Sequence, residues 1–205
     1  MRLPEAVTKA VENAVAAFGG LDTLVISAGV IHIKPLEEVS ESDWDLTMDV
    51  NLKGAFLTAQ ATAPHLSASG RGRVVAIASD AGRRGFAWIQ AYVSSKFGLV
   101  GLVESLAVEL APDQVTVNCV CPVGVPTTRM GQEVLDWKVR RSNATPEQIM
   151  SAAAGTNPLG RNATEADVAD AVMYFISDEA SFLTGVALDI DGGAHLGWVF
   201  PGASD

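Results

Sequence analysis

Four short apolar runs punctuate the chain: Thr23-Leu24-Val25-Ile26, Val74-Val75-Ala76-Ile77-Ala78, residues 115–121 and residues 186–190. Each is apolar at nearly every position instead of every second one, as expected of strands buried on both faces. Between them lie stretches of helical periodicity. Strands that alternate with helices form a parallel sheet with helices on both sides, so the expected fold is a doubly wound α/β sheet of Rossmann type. Right-handed crossovers then bring the C-terminal ends of all strands to one edge, where ligands of such folds bind.

The intervening segments carry their own signals. Val7, Ala10, Val11, Ala14 and Phe18 recur at helical spacing, and Gly19-Gly20 closes the run. Ser40-Glu41-Ser42-Asp43 reads as a capping box that opens a long helix through Trp44, Met48, Ala55 and Ala59. Residues 91–110 read as a helix that is apolar nearly all round, stopped by Pro112-Asp113. Residues 127–160 are mixed, with Pro146 and Pro158 as breaks, and Thr164-Glu165-Ala166-Asp167 opens a further helix. No repeat or linker divides the chain, so residues 1–205 are expected to form a single domain.

Composition excludes several classes. A net charge of -10 repels phosphate backbones and argues against nucleic-acid binding. The longest apolar stretch, residues 97–103, is far shorter than the ~20 residues that span a bilayer, so no membrane association is expected. Cys119 and Cys121 suit neither a disulfide framework nor, with three scattered histidines, a metal site. They read as small buried residues of a strand, in keeping with a reducing cytoplasmic setting.

The chemistry concentrates around Tyr92-Val93-Ser94-Ser95-Lys96. A tyrosine and a lysine four apart on a helix share one face. A phenol with a pKa near 10 transfers protons poorly at neutral pH, but a nearby cation stabilises the phenolate and lowers that pKa. The pair can therefore act as a general acid and base. Ser79 ends the second strand, Asn51 lies inside the first long helix, and Pro122 and Thr127 follow the third strand.

In this order and context the motifs resemble the short-chain dehydrogenase/reductase family, over essentially the whole chain. The resemblance includes Ser27-Ala28-Gly29, Pro158-Leu159-Gly160-Arg161, Thr184-Gly185 and Asp191-Gly192-Gly193. It implies an NAD(P)-dependent oxidoreductase acting on a small-molecule secondary alcohol or its ketone. Tyr92 would exchange the substrate proton, Lys96 would lower its pKa and hold the nicotinamide ribose, and Ser79 would stabilise the substrate oxygen. Asn51 would hold a relay water. Ala28, Gly29, Pro122 and Thr127 would line the NAD or NADP. The family also implies a homodimer or homotetramer, formed through the helix of residues 91–110 and the one at 43–65.

Three departures stand out. Ile26-Ser27 replace the asparagines usual before Ala-Gly. Val123 replaces the glycine usual after the proline, where a valine adopts positive φ only at a cost. No Gly-rich turn precedes Ser27, so by comparison with the family the first two βα units and the third strand are expected to be missing. The residue that selects NAD or NADP goes with them. The strand at residues 23–26 then becomes a sheet edge, and the chain alone is expected to hold a dinucleotide weakly. Either the chain is a fragment or has a misassigned start, or it is a cofactor-poor relative performing non-redox acid/base chemistry or serving as a binding partner. Retention of Ser79, Tyr92 and Lys96 together favours the former. Elsewhere, Trp137, Lys138, Arg140 and Arg141 read as a solvated helix face, and His195 and Trp198 as a loosely packed tail.

Overall fold

The four apolar runs pair in chain order. The computed structural model describes residues 4–196, and its strands β1 (Thr23–Ile26), β2 (Arg73–Ile77), β3 (Thr116–Pro122) and β4 (Ala187–Ile190) form one parallel sheet in the order β1-β2-β3-β4. Leu24 lies opposite Val74, Val74 opposite Val117, and Cys119 opposite Ala187. The helices are α1 (Pro4–Phe18), α2 (Glu41–Met48), α3 (Gly54–Ser69), α4 (Gln90–Leu110), α5 (Arg129–Arg141), α6 (Pro146–Gly155) and α7 (Glu165–Ile176).

Successive strand residues point to opposite faces, and both faces are covered. Val74, Ala76, Val117, Cys119 and Cys121 pack with Leu66 of α3 and Leu99 and Val103 of α4. Val75 and Val120 point the other way, against Val172 and Phe175 of α7. Each fully buried aliphatic side chain stabilises such a core by about 1.5–3 kcal/mol. The two cysteines are free and fully buried, as small strand residues should be.

Local signals explain the helix starts. Ser40 and Asp43 form a reciprocal capping box at α2, and Thr164 and Asp167 form another at α7. Pro146 is a helix starter here: it occupies the first turn of α6 behind the Thr145 cap, where a missing N–H costs nothing. The chain from Glu41 to Ser69 is one long helical run, but Asp49–Lys53 within it forms a π turn.

β1 is an edge, and Val25 on it is 44% exposed. The residues Gln90–Asp113 are, by length and composition, apolar enough to cross a membrane. Their inward face, however, includes Leu99, Val103 and Ala107 packed into the sheet core. The outer face carries Phe97 and Val108 in exposed positions.

Candidate active site

The strand ends deliver the chemistry to one edge. β2 runs out through Ile77 into Ser79, which caps a short 3-10 turn at Asp80–Gly82. The Ser79 hydroxyl accepts the Ala81 N–H (3.1 Å) and donates to Asp80 Oδ1 (3.0 Å). The turn presses on α4 so closely that a Cβ at Gly82 would lie 2.9 Å from the Lys96 carbonyl. One turn apart on α4, Tyr92 and Lys96 are both buried. The Lys96 ammonium donates to the Ile77 carbonyl (2.7 Å) and lies 5.5 Å from the centre of the Tyr92 ring.

Asn51 joins this group from the π turn, a distortion that often marks functional sites. Its side chain is 1% exposed and fully engaged. Oδ1 accepts from Val30 N–H (2.8 Å), while Nδ2 donates to the Val30 carbonyl (3.0 Å) and to Ser95 Oγ (3.0 Å). The side-chain amide thus clamps the loop after β1 to α4. Opposite, a Cβ at Gly98 would lie 2.7 Å from the end of the Leu52 side chain, which fills the space that glycine leaves between α4 and the π turn. Gly29, on the clamped loop beside Ala28, sits with the Asn51 amide oxygen, the Lys96 ammonium and the Met130 methyl all within 4 Å of where its Cβ would be.

Burial dominates the electrostatics. It pushes Tyr92 up to about 12, opposed by a hydrogen bond from Ser79 and reinforced by the Asp80 charge. The Lys96 ammonium, expected to lower the Tyr92 pKa, hydrogen-bonds the Ile77 carbonyl and not the phenol. Burial pulls Lys96 down to about 8, against the upward influence of Cys121 and Cys119 beneath it. Asp80 is raised by burial, although Ser79 and Arg84 pull it back.

The remaining expected site residues have their own partners. Pro122 ends β3, and Val123 carries the extended path onward by donating to the Ile190 carbonyl (3.1 Å). Val123 does not adopt positive φ, so the substitution for glycine imposes no strain there. Thr127 is exposed, and its hydroxyl donates to Glu165 Oε2 (2.8 Å) at the start of α7. His195 is no loose tail: its Nδ1 lies 2.6 Å from Asp191 Oδ2. Trp198 lies outside the described residues. Arg141 is not merely solvated, because its guanidinium lies over the rings of both Trp137 and Trp88. Trp88, in the loop that leads into α4, has φ +69, a costly conformation for a bulky residue.

Sequence reasoning passed over Ser95, Asp80, Gly82 and Gly98. A glycine in the middle of an apolar helix, as Gly98 is in Lys96-Phe97-Gly98, is the kind of signal that marks close packing.

Comparison with known proteins agrees with this layout. The family model described as Enoyl-(Acyl carrier protein) reductase matches residues 1–195. A 3-alpha-(or 20-beta)-hydroxysteroid dehydrogenase from Mycobacterium tuberculosis is 37% identical over 194 residues, covering 95% of this chain and 68% of that protein. Ligand-free aldohexose dehydrogenase from Thermoplasma acidophilum superposes with a TM-score of 0.90 at 28% identity, over 100% of this chain and 78% of that one. Carveol dehydrogenase from Mycobacterium avium in complex with NAD superposes with a TM-score of 0.88 at 32% identity, over 96% and 73%.

Proposed function

Because the chain belongs to the short-chain dehydrogenase/reductase family, we propose that it interconverts a secondary alcohol and its ketone with NAD or NADP through Ser79, Tyr92 and Lys96. The observation that carries this reading is the buried Lys96 one helical turn from the buried Tyr92, with Ser79 capping the turn that packs against Lys96. Structure alone gives such a lysine little to do, and its burial has a cost that a chemical role explains.

In the reducing direction the Tyr92 O–H gives its proton to the carbonyl oxygen. The Lys96 ammonium stabilises the phenolate that remains. The Ser79 hydroxyl donates to the same substrate oxygen, where negative charge develops. Asn51 holds the loop of Ala28 and Gly29 and so fixes the wall opposite Tyr92.

The residues present fit the ribose end of a nicotinamide cofactor. Gly29 offers an approach without a side chain, with the Lys96 ammonium directly beside it. Lys96 and Tyr92 would hold the ribose, and Ala28, Gly29 and Pro122 would line it. When bound, NAD or NADP supplies or accepts the hydride. The Lys96 ammonium has three donors, so it can hold a ribose hydroxyl while keeping the Ile77 carbonyl.

The exposed Phe56 of α3 and Phe97 of α4 support association of two or four copies through these helices. The two buried, free thiols support a reducing, cytoplasmic setting.

The test is Tyr92→Phe, which deletes the proton and keeps the ring. Ketone reduction should fall by about a hundred- to ten-thousand-fold in kcat/KM, with circular dichroism unchanged. If most activity survives under conditions where chemistry limits the rate, the assignment is wrong.

A further inference from the structure

Ser79 has one proton to donate and two lone pairs to accept with. One lone pair takes the Ala81 N–H at 3.1 Å. The proton goes to Asp80 Oδ1 at 3.0 Å, and an ionised carboxylate can only accept. That leaves Ser79 able to receive a hydrogen bond from Tyr92 but not to give one. Yet the role proposed above for Ser79, donating to the substrate oxygen beside Tyr92, needs that same proton. Two acceptors therefore compete for a single proton.

We propose that Asp80 is a positioning residue that acts on Tyr92 through Ser79: its carboxylate holds the Ser79 proton, and Ser79 must turn from Asp80 to serve the reacting oxygen. This rests on the reading of Ser79 and Tyr92 given above. The O–H bond of Ser79 stays intact throughout; only the acceptor changes.

The surroundings make Asp80 suited to this. It is partly buried, and its other oxygen meets Arg84 Nη2 at a long 3.3 Å. Arg84 stacks on Phe86, and its Nε is buried without a partner, so Asp80 and the ring are what hold it. Arg83 turns away to Asp189 (3.3 Å). The Asp80 charge is thus weakly neutralised and is felt at Tyr92. The other groups facing the phenol are Ser79 and Lys96. The groups around Lys96 are the neutral Asn51 amide and Gly29 on one side and Cys119 and Cys121 on the strand below.

The chain has two tyrosines, so in a Tyr174→Phe background a single 13Cζ-tyrosine signal reports Tyr92. This measurement needs neither cofactor nor substrate, and its outcome is therefore separate from that of the dehydrogenase assay. Asp80→Asn removes the charge, and Asp80→Ala removes charge and acceptor. Both should move the Tyr92 titration about 1 pH unit lower, Asp80→Ala further than Asp80→Asn. At about pH 11 the phenolate fraction should rise roughly five-fold. In a Ser79→Ala background the shift caused by Asp80→Ala should fall by about half or more, because the path through Ser79 is gone. Asp80→Asn keeps the size and one acceptor of the carboxylate, so it stands in if Asp80→Ala does not fold. An unmoved Tyr92 titration in the folded variants overturns the proposal. So does an equal shift with and without Ser79, since bare charge would then account for everything.

Discussion

Replacing Lys96 with methionine keeps an unbranched chain of similar length and removes a buried charge. Lys96 is 4% exposed, and burial pulls it from its ordinary 10.5 to about 8. At ~1.4 kcal/mol per pH unit, this displacement makes the charged side chain cost the fold roughly 3 kcal/mol at neutral pH. The sign follows from proton counting. The unfolded chain keeps this proton up to about pH 10.5, and the folded chain releases it near 8. Between these values the unfolded state binds more protons, so stability rises with pH. The gain is complete above about 10.5 and is lost as pH falls through about 8.

Lys96→Met has no such slope at this position. It leaves the Ile77 carbonyl without its partner, a cost of about 1–3 kcal/mol, so at neutral pH it should be equal to the wild type or up to about 2 kcal/mol more stable. By about pH 10 the wild type should overtake it. Urea unfolding of both proteins from about pH 7 to about pH 10 measures the difference, in which the titrations of other groups largely cancel. A difference that stays constant within about 0.5 kcal/mol across this window would refute the argument that Lys96 is held charged at a cost.

Two further outcomes can be checked. Phe97 is 46% exposed on the outer face of α4, so Phe97→Glu should convert an assembled species to monomer in sedimentation velocity while circular dichroism stays unchanged; an unmoved sedimentation coefficient would remove α4 from the interface. Asn51→Ala leaves the Val30 N–H and carbonyl without their partners and should destabilise the fold by about 2–4 kcal/mol in urea, with faster amide exchange at Val30; a loss below about 1 kcal/mol would mean that solvent replaces the amide.

The strands were legible because burial on both faces favours apolar residues at consecutive positions, and the runs at 23–26, 74–78, 115–121 and 186–190 are mostly apolar, with Thr23, Thr116, Asn118 and Asp189 as the polar members. Capping boxes made the starts of α2 and α7 equally plain. The edge position of β1 followed from the family's strand order and not from its residues: Val25 looks like any core valine, yet it is exposed. What the sequence concealed was which partner each polar side chain takes. Asn51 in Val50-Asn51-Leu52 announces only a need for partners; that these are Val30 and Ser95 depends on the helix loosening into a π turn. Thr127 follows Pro122 at a familiar interval, but the hydroxyl's direction is set by Glu165, thirty-eight residues later. Spacing put Lys96 beside Tyr92, but only the fold shows that its ammonium also hydrogen-bonds the end of β2.

These departures from local rule gather in one place. The π turn at Asp49–Lys53 interrupts a good helix, Gly98 weakens α4 at its middle, and Lys96 carries a charge where an aliphatic chain would be more stable. Each is unfavourable taken alone. Together they have one geometric effect. The missing Cβ at Gly82 lets α4 lie against the Ser79 turn on one side, and the one at Gly98 leaves room for Leu52 of the π turn on the other. That double approach is what brings Ser79, Tyr92, Lys96 and Asn51, from three separate elements, to the same end of the sheet. A methyl group at Gly82 would meet the Lys96 carbonyl at 2.9 Å, and since that is backbone it would push α4 away from the Ser79 turn; one at Gly98 would meet the tip of the Leu52 side chain at 2.7 Å and displace it. Sites where a fold accepts strain and buried charge are where function, not stability, sets the residue.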